Sequence, residues 1–304
     1  MKRVLITGAL GQLGHEFMKF FVKENIYVLA SDIRTPNNKL ICDFEIADAM
    51  DKKRLDFLVK KHKINTVYHL VAVLSAKGEE NPFNAWKLNM ESFQNIIEVA
   101  IMNKINKIFW PSSIAVFGTK SNLENVNQDP KLNPETIYGI SKLSGEKLIS
   151  YYNKKYDMDI RSLRYPGIIS FESKPGGGTT DYVMEMIESL KKGEEYTCFL
   201  EKNTKLPMLF INDAISGTIK YMSAKKNDLN VKDSYNITGF SITPHELEEK
   251  LKKNGCTGTV IYKPDYRNAI AQSWPRKIND IEAKKDWDWK AKYGIDETLK
   301  QAFK

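Results

Sequence analysis

Tyr138 and Lys142, in "YGISK", stand four residues apart. On a helix that spacing puts a phenol and an ammonium on one face. Such a pair can abstract a proton, because a nearby cation favours the phenolate and draws the tyrosine toward the range of a general base. The spacing alone carries little information, since Tyr151 with Lys155 and Tyr221 with Lys225 repeat it. Ser113 singles out Tyr138: it lies 25 residues upstream in "WPSSIAVFG", at the end of an apolar run that reads as a strand. A hydroxyl donor, a base and a cation that tunes the base are what proton removal from an alcohol requires. Ser113, Tyr138 and Lys142 are the candidate catalytic residues.

A second constellation lies at the front of the chain. "ITGALGQLG" sets Gly8, Gly11 and Gly14 directly after a short apolar run and at the opening of a helical pattern, with Gln12 and Leu13 between the last two. The turn needs no side chain at Gly8, a pyrophosphate must approach the backbone at Gly11, and the helix must pack closely on the sheet at Gly14. Asp32 follows at the end of the next apolar run, 24 positions past Gly8. Its carboxylate suits ribose hydroxyls and repels a 2'-phosphate, so NAD is favoured over NADP; Arg34 is a neighbouring cation. Asp43, after a third run, is expected beside adenine.

These residues must be carried by alternating strands and helices. Strand patterns run over 2–7, 26–32, 39–43, 64–73, 105–113 and 159–166. Helical ones run over 12–25, 47–63, 81–104 and 133–156, with Pro82 and Pro134 near two of the starts. Strand then helix, repeated, implies an α/β fold with a Rossmann-type doubly wound parallel sheet, whose strand ends at the carboxyl edge hold ligands. After residue 170 the rhythm becomes less regular.

Composition excludes several function classes. The formal charge of +8 arises from lysines spread among acids, as on solvated helix faces, and not from a basic patch for nucleic acid. Cys42, Cys198 and Cys256 are scattered, and His15, His62, His69 and His245 show no chelating spacing, so no metal is expected. No apolar stretch reaches the roughly 20 residues of a membrane span, and the apolar part of "MKRVLITGAL" is too short for a signal sequence. The expectation is a cytoplasmic protein.

The spacing GxxGxxG together with "YGISK" resembles the short-chain dehydrogenase/reductase superfamily. "LNMESFQNIIEVA" and "LRYPGII" are similar to its extended branch, which includes nucleotide-sugar epimerases and reductases. Where those sugar enzymes carry a diphosphate-binding arginine, this chain has Leu206, Pro207 and Met208, so a smaller substrate is expected. Essentially the whole chain resembles the L-threonine 3-dehydrogenases of the extended type, through "PGGGTTDY" (175–182), "LPMLFINDAI" and "QSWPR" above all. Lys205 stands where that family commonly has arginine.

The resemblance implies a cofactor-binding domain over 1–170 and a smaller, partly interleaved α/β substrate domain over 171–304, with segments of about 205–240 returning to the sheet. It adds Phe44, Leu70, Ala72, Asn89, Tyr165 and Ile168 to the NAD-binding residues Gly8, Gly11, Gln12, Leu13, Gly14, Asp32, Arg34, Asp43, Tyr138 and Lys142. It assigns substrate contacts to Ser75, Gly78, Ser113, Tyr138, Thr179, Thr180, Asp181 and Trp274, and makes 174–182 a mobile substrate loop. The implied reaction is oxidation of L-threonine to 2-amino-3-ketobutyrate, by a homodimer paired through the helices at 82–103 and 134–156, coupled to a ligase that captures the product. Two other readings share the fold: a nucleotide-sugar epimerase or reductase, and a non-catalytic NAD sensor, which typically lacks the tyrosine or lysine.

Overall fold

The computed structural model describes residues 2–105, 107–172 and 176–304. The first half alternates strand and helix: β1 (Arg3–Thr7), α1 (Gln12–Lys23), β2 (Tyr27–Asp32), β3 (Asp43–Ile46), α2 (Lys52–Lys61), β4 (Thr66–His69), α3 (Ser75–Glu80), α4 (Pro82–Met102), β5 (Lys107–Phe109), β6 (Ser112–Ser113), α5 (Ile137–Tyr156) and β7 (Asp159–Tyr165). The second half adds β8 (Gly167–Ile169), α6 (Tyr182–Lys191), β9 (Glu195–Cys198), β10 (Leu206–Phe210), α7 (Ile211–Ser223), β11 (Ser234–Asn236), β12 (Phe240–Ile242), α8 (Pro244–Lys253), β13 (Thr259–Tyr262), α9 (Tyr266–Gln272), α10 (Ile281–Trp287) and α11 (Ile295–Ala302).

Among the described residues, eight strands form one parallel sheet in the order β11-β7-β5-β4-β1-β2-β3, with β6 beside β7. Alternation along β1 divides the core: Val4 and Ile6 pack with Phe17 and Phe21 of α1, whereas Leu5 faces Leu55 of α2 and Phe93 of α4. Both sheet faces are thereby covered, as a doubly wound parallel sheet requires. The most distant contribution is β11, whose Ser234 pairs in register with Ser162 of β7. A smaller sheet, β12-β10-β8, and the β13-β9 pair lie apart from it.

Local signals explain the helix starts. The Asn81 side chain accepts the Asn84 N–H at 3.1 Å and Pro82 opens α4. Thr136 accepts the Gly139 N–H at 3.1 Å at the head of α5, and Asp157, in the left-handed region at φ 50°, ends it. A Cβ on Gly139 would lie 2.2 Å from the Ala115 oxygen, so glycine lets α5 press onto the turn that follows Ser113.

Several boundaries differ from the sequence pattern. The third strand is Asp43–Ile46 and not 39–43: pairing with β2 begins only where Asp43 comes opposite Leu29, and Asp43 opens the strand instead of following it. The 64–73 run pairs only through His69. The 105–113 run divides, with Ser112 and Ser113 bonded to β7 alone. The short helix α3 carries no long periodic pattern and was not legible at all.

Candidate active site

Ser113 closes β6 at the carboxyl edge of the sheet, and its hydroxyl accepts the Ala115 N–H at 3.2 Å, starting the turn at 114–116. Tyr138 sits in the first turn of α5 and its phenol is hydrogen-bonded by the Ser113 side chain. One turn on, the buried Lys142 donates to the Pro111 carbonyl at 2.7 Å, its ammonium 5.5 Å from the Tyr138 ring centre. Ser113, Tyr138 and Lys142 line a single cavity of about 150 Å³ together with Gln12, Leu13, Thr180 and Trp274.

The electrostatics correct the simplest expectation for this pair. Burial pushes the Tyr138 phenol up to about 12, with the Ser113 hydrogen bond working the other way. Burial also pushes the Lys142 ammonium down to about 7, against the attraction of Glu146. A desolvated ammonium that loses its proton near neutrality exerts a weaker field on the phenol, so here desolvation outweighs charge tuning.

The glycine motif builds a cradle. Gly8 adopts φ +71°, and a Cβ on Gly14 would come within 2.5 Å of the Ala9 oxygen, so α1 can begin this close to β1 only without a side chain there. Gly11 is the N-cap of α1 and no side chain caps the helix. Its first N–H groups and the positive end of its dipole are those a pyrophosphate would meet. Gln12 and Leu13 reach the cavity, as do Leu70, Ala72, Tyr165 and Ile168.

At the far end of this path the Asp32 carboxylate accepts the Leu10 N–H at 3.1 Å, the Arg34 N–H at 3.1 Å and the Arg34 side chain at 3.0 and 3.3 Å. Burial alone would raise this carboxyl, but those four hydrogen bonds hold it below the usual carboxylate range. Arg34 also lines a second cavity, of about 490 Å³, with Leu10 and residues 35–41. The Asp43 carboxylate takes the Tyr27 hydroxyl at 2.7 Å, next to the half-buried Phe44. Asn89 clamps the chain behind the cavity: its side chain bonds both N–H and C=O of Val73 and donates to Ser141, at 2.8, 3.2 and 3.2 Å.

The residues expected on the substrate side are engaged with one another. The hydroxyls of Ser75 and Thr179, both buried, lie 3.0 Å apart, and Asp181 accepts the N–H groups of Gly177 and Gly178. Lys174 and Pro175, at the head of that loop, lie outside the described residues. Gly78 is consumed inside α3, where its N–H donates to Leu74 at 2.7 Å and its α-carbon faces Ile137 and Ala85. Its backbone therefore has no free donor for a ligand.

Sequence reasoning missed the buried support behind the lysine. Glu146 forms a two-pronged ion pair with Arg164, at 2.9 and 2.8 Å, and accepts the Ser112 hydroxyl at 2.6 Å. The available signal was the four-residue step from Lys142 to Glu146 and an arginine inside an apolar strand. It also missed His69, buried between Thr7 at 2.6 Å and Ser92 at 3.1 Å, and pushed down to about 3 by burial and then by Lys142. No helix among the described residues is long and apolar enough to cross a membrane.

Comparison with known proteins fits this geometry. The bovine mitochondrial L-threonine 3-dehydrogenase is 40% identical, aligned over 98% of this chain and 81% of its own. A structure of a partial consensus L-threonine 3-dehydrogenase superposes with a TM-score of 0.97 at 42% identity, covering 99% of this chain and 97% of the other. A monomeric L-threonine 3-dehydrogenase from a metagenome database gives 0.94 at 41%, covering 98% and 97%. The sequence model of the NAD dependent epimerase/dehydratase family matches residues 4–238, and the chain belongs to that family, as an oxidoreductase of the threonine dehydrogenase type.

Proposed function

We propose that this enzyme oxidises L-threonine at its 3-hydroxyl to 2-amino-3-ketobutyrate, with NAD as cofactor. One observation carries the reading: Ser113, Tyr138 and Lys142 converge on a cavity of about 150 Å³ that Thr179, Thr180, Asp181 and Trp274 also line. Leu206, Pro207 and Met208, where nucleotide-sugar enzymes carry a diphosphate-binding arginine, support an amino acid over a nucleotide sugar.

When bound, NAD supplies the hydride acceptor. Gly8, Gly11 and Gly14 keep the entrance of α1 open for its pyrophosphate and Asp32 receives its ribose hydroxyls. Ser113 orients the substrate oxygen, Tyr138 takes the proton from it, and Lys142 holds the phenolate that makes the transfer possible. Thr180 and the Ser75–Thr179 pair offer hydroxyls to the ammonium and carboxylate of the amino acid, while Trp274, almost fully buried, excludes water from that end.

The product, a β-keto acid, loses carbon dioxide readily, which favours coupling to a ligase in the cytoplasm. The exposed Trp86 of α4 with Ile140 and Tyr151 of α5 supports a homodimer through these helices, which light scattering will distinguish from a monomer. NADH formation from NAD and L-threonine, measured beside NADP, L-serine and UDP-glucose and in Tyr138→Phe, tests the reaction. Threonine-dependent NADH that falls about 100-fold or more in the variant is expected; no NADH from folded, NAD-binding protein refutes the assignment.

A further inference from the structure

Lys142 rests on an aromatic floor. Its Nζ lies 4.1 Å from the centre of the Trp110 ring. That indole is 1% exposed and is itself stacked on Phe93, with ring centres 4.7 Å apart and planes at 17°. Gly145, three residues after Lys142, makes the arrangement possible: a Cβ there would come within 2.3 Å of the indole. The tryptophan immediately precedes Pro111, whose carbonyl takes one ammonium hydrogen, so a single short segment supplies both the floor and the acceptor.

We propose that Trp110 is a positioning residue, whose indole face keeps the Lys142 ammonium charged and aimed into the cavity without adding a lone-pair acceptor beneath it. This rests on the reading above, in which Lys142 acts on Tyr138. An ammonium has three donors and Pro111 uses one. The other two are wanted for the ribose and the phenolate, so an additional carbonyl or carboxylate beneath the lysine would compete with its task. A π face attracts the cation through its quadrupole without a lone pair that would fix the direction of an N–H. The charged and titratable groups around Lys142 are few. Tyr138 and Glu146 face it from α5, Glu146 is already spent on Arg164 of β7, and His69 of β4 is held neutral. Burial works against the ammonium, and the indole joins the Pro111 carbonyl and the Glu146 charge in offsetting it.

The test is the titration of Lys142 itself, followed by NMR in full-length protein carrying ¹³Cε-lysine, with and without NAD, the resonance assigned by its loss in Lys142→Met. Trp110→Leu is expected to lower the Lys142 midpoint by about half to one pH unit. Trp110→Phe, which keeps a weaker quadrupole, is expected to lower it by less. A midpoint that stays put or rises in Trp110→Leu overturns the proposal, because simple loss of packing lets water in and pushes a buried lysine upward. An equal fall in both variants overturns it too. If Trp110→Leu does not fold, the Phe variant decides by the direction of its shift. No threonine enters this experiment, so an enzyme silent toward threonine would refute the proposed reaction and still test Trp110.

Discussion

The carboxylate of Asp181 accepts the backbone N–H of Gly178 at 2.8 Å, and the same oxygen takes that of Gly177 at 2.9 Å. Asp181 therefore ties the glycine loop to the head of α6 from within the chain. The loop shape is held by a buried charge, and Gly177, at φ +88°, is where a side chain would strain it.

Asp181→Ala frees two loop N–H groups at once. Hydrogen bonds to a charged acceptor contribute about 1.5–3 kcal/mol, so KM for threonine is expected to rise roughly tenfold or more, and amide exchange at Gly177 and Gly178 to accelerate. Asp181→Asn keeps an acceptor oxygen and lies between. Unchanged exchange in Asp181→Ala would show that the loop is held by Ser75 and Thr179 instead.

Lys142→Met exchanges activity for stability. The lysine binds its proton less tightly in the folded protein, about 7 against an ordinary 10.5, so wild-type stability rises as pH climbs through that window. The variant lacks the buried ammonium and is expected to be more stable by roughly 2–3 kcal/mol at or below pH 7, after allowance for the lost bond to Pro111. The difference should shrink as pH rises, cross zero at about pH 9 and reverse by roughly 2 kcal/mol at about pH 10.5, where only the lost bond to Pro111 still counts, while turnover falls about 100-fold or more. Urea titrations at pH 6, 8 and 10 decide it.

Asp32→Asn removes the charge proposed to receive the NAD ribose while leaving an acceptor for Leu10. NAD affinity is expected to fall roughly tenfold, and discrimination against NADP to collapse, since Arg34 is then released toward a 2'-phosphate. Isothermal titration with both cofactors measures the two effects separately; a retained preference for NAD would place specificity elsewhere.

His69 predicts an acid limb. Folded, it resists protonation down to about 3, whereas unfolded it takes a proton at its ordinary 6.5. The unfolded chain therefore gains protons first, and stability falls as pH drops from 6.5 toward 3. His69→Gln, whose amide can still meet Thr7 and Ser92, should make that slope shallower by up to about 1.4 kcal/mol per pH unit. Parallel slopes would exclude His69 as its source.

The glycine cradle, Asp32 and the Ser113–Tyr138–Lys142 trio were legible in the sequence because each rests on a short-range rule: a turn that tolerates no side chain, a strand end, a helical turn. What stayed hidden depends on distance along the chain. Nothing local tells that Trp110 lies under Lys142, that Arg164 meets Glu146, or that Ser75 finds Thr179 from 104 residues away. Exposed edges were also poorly legible: β3 lies at the margin of the sheet, where alternation is weak and the strand shifted by several residues. Burial can reverse a charge argument made from spacing, as it does for Tyr138.

The strand β11 sets a schedule on the ribosome. Residues 234–236 complete the margin of a sheet whose other strands all come from the first 165 residues. During synthesis β7 stays without that neighbour until more than two thirds of the chain has been made. A nascent or truncated protein ending near residue 170 would present an open strand edge of the kind that recruits other chains. Such a fragment should aggregate where the full chain does not, measurable by sedimentation of released truncations.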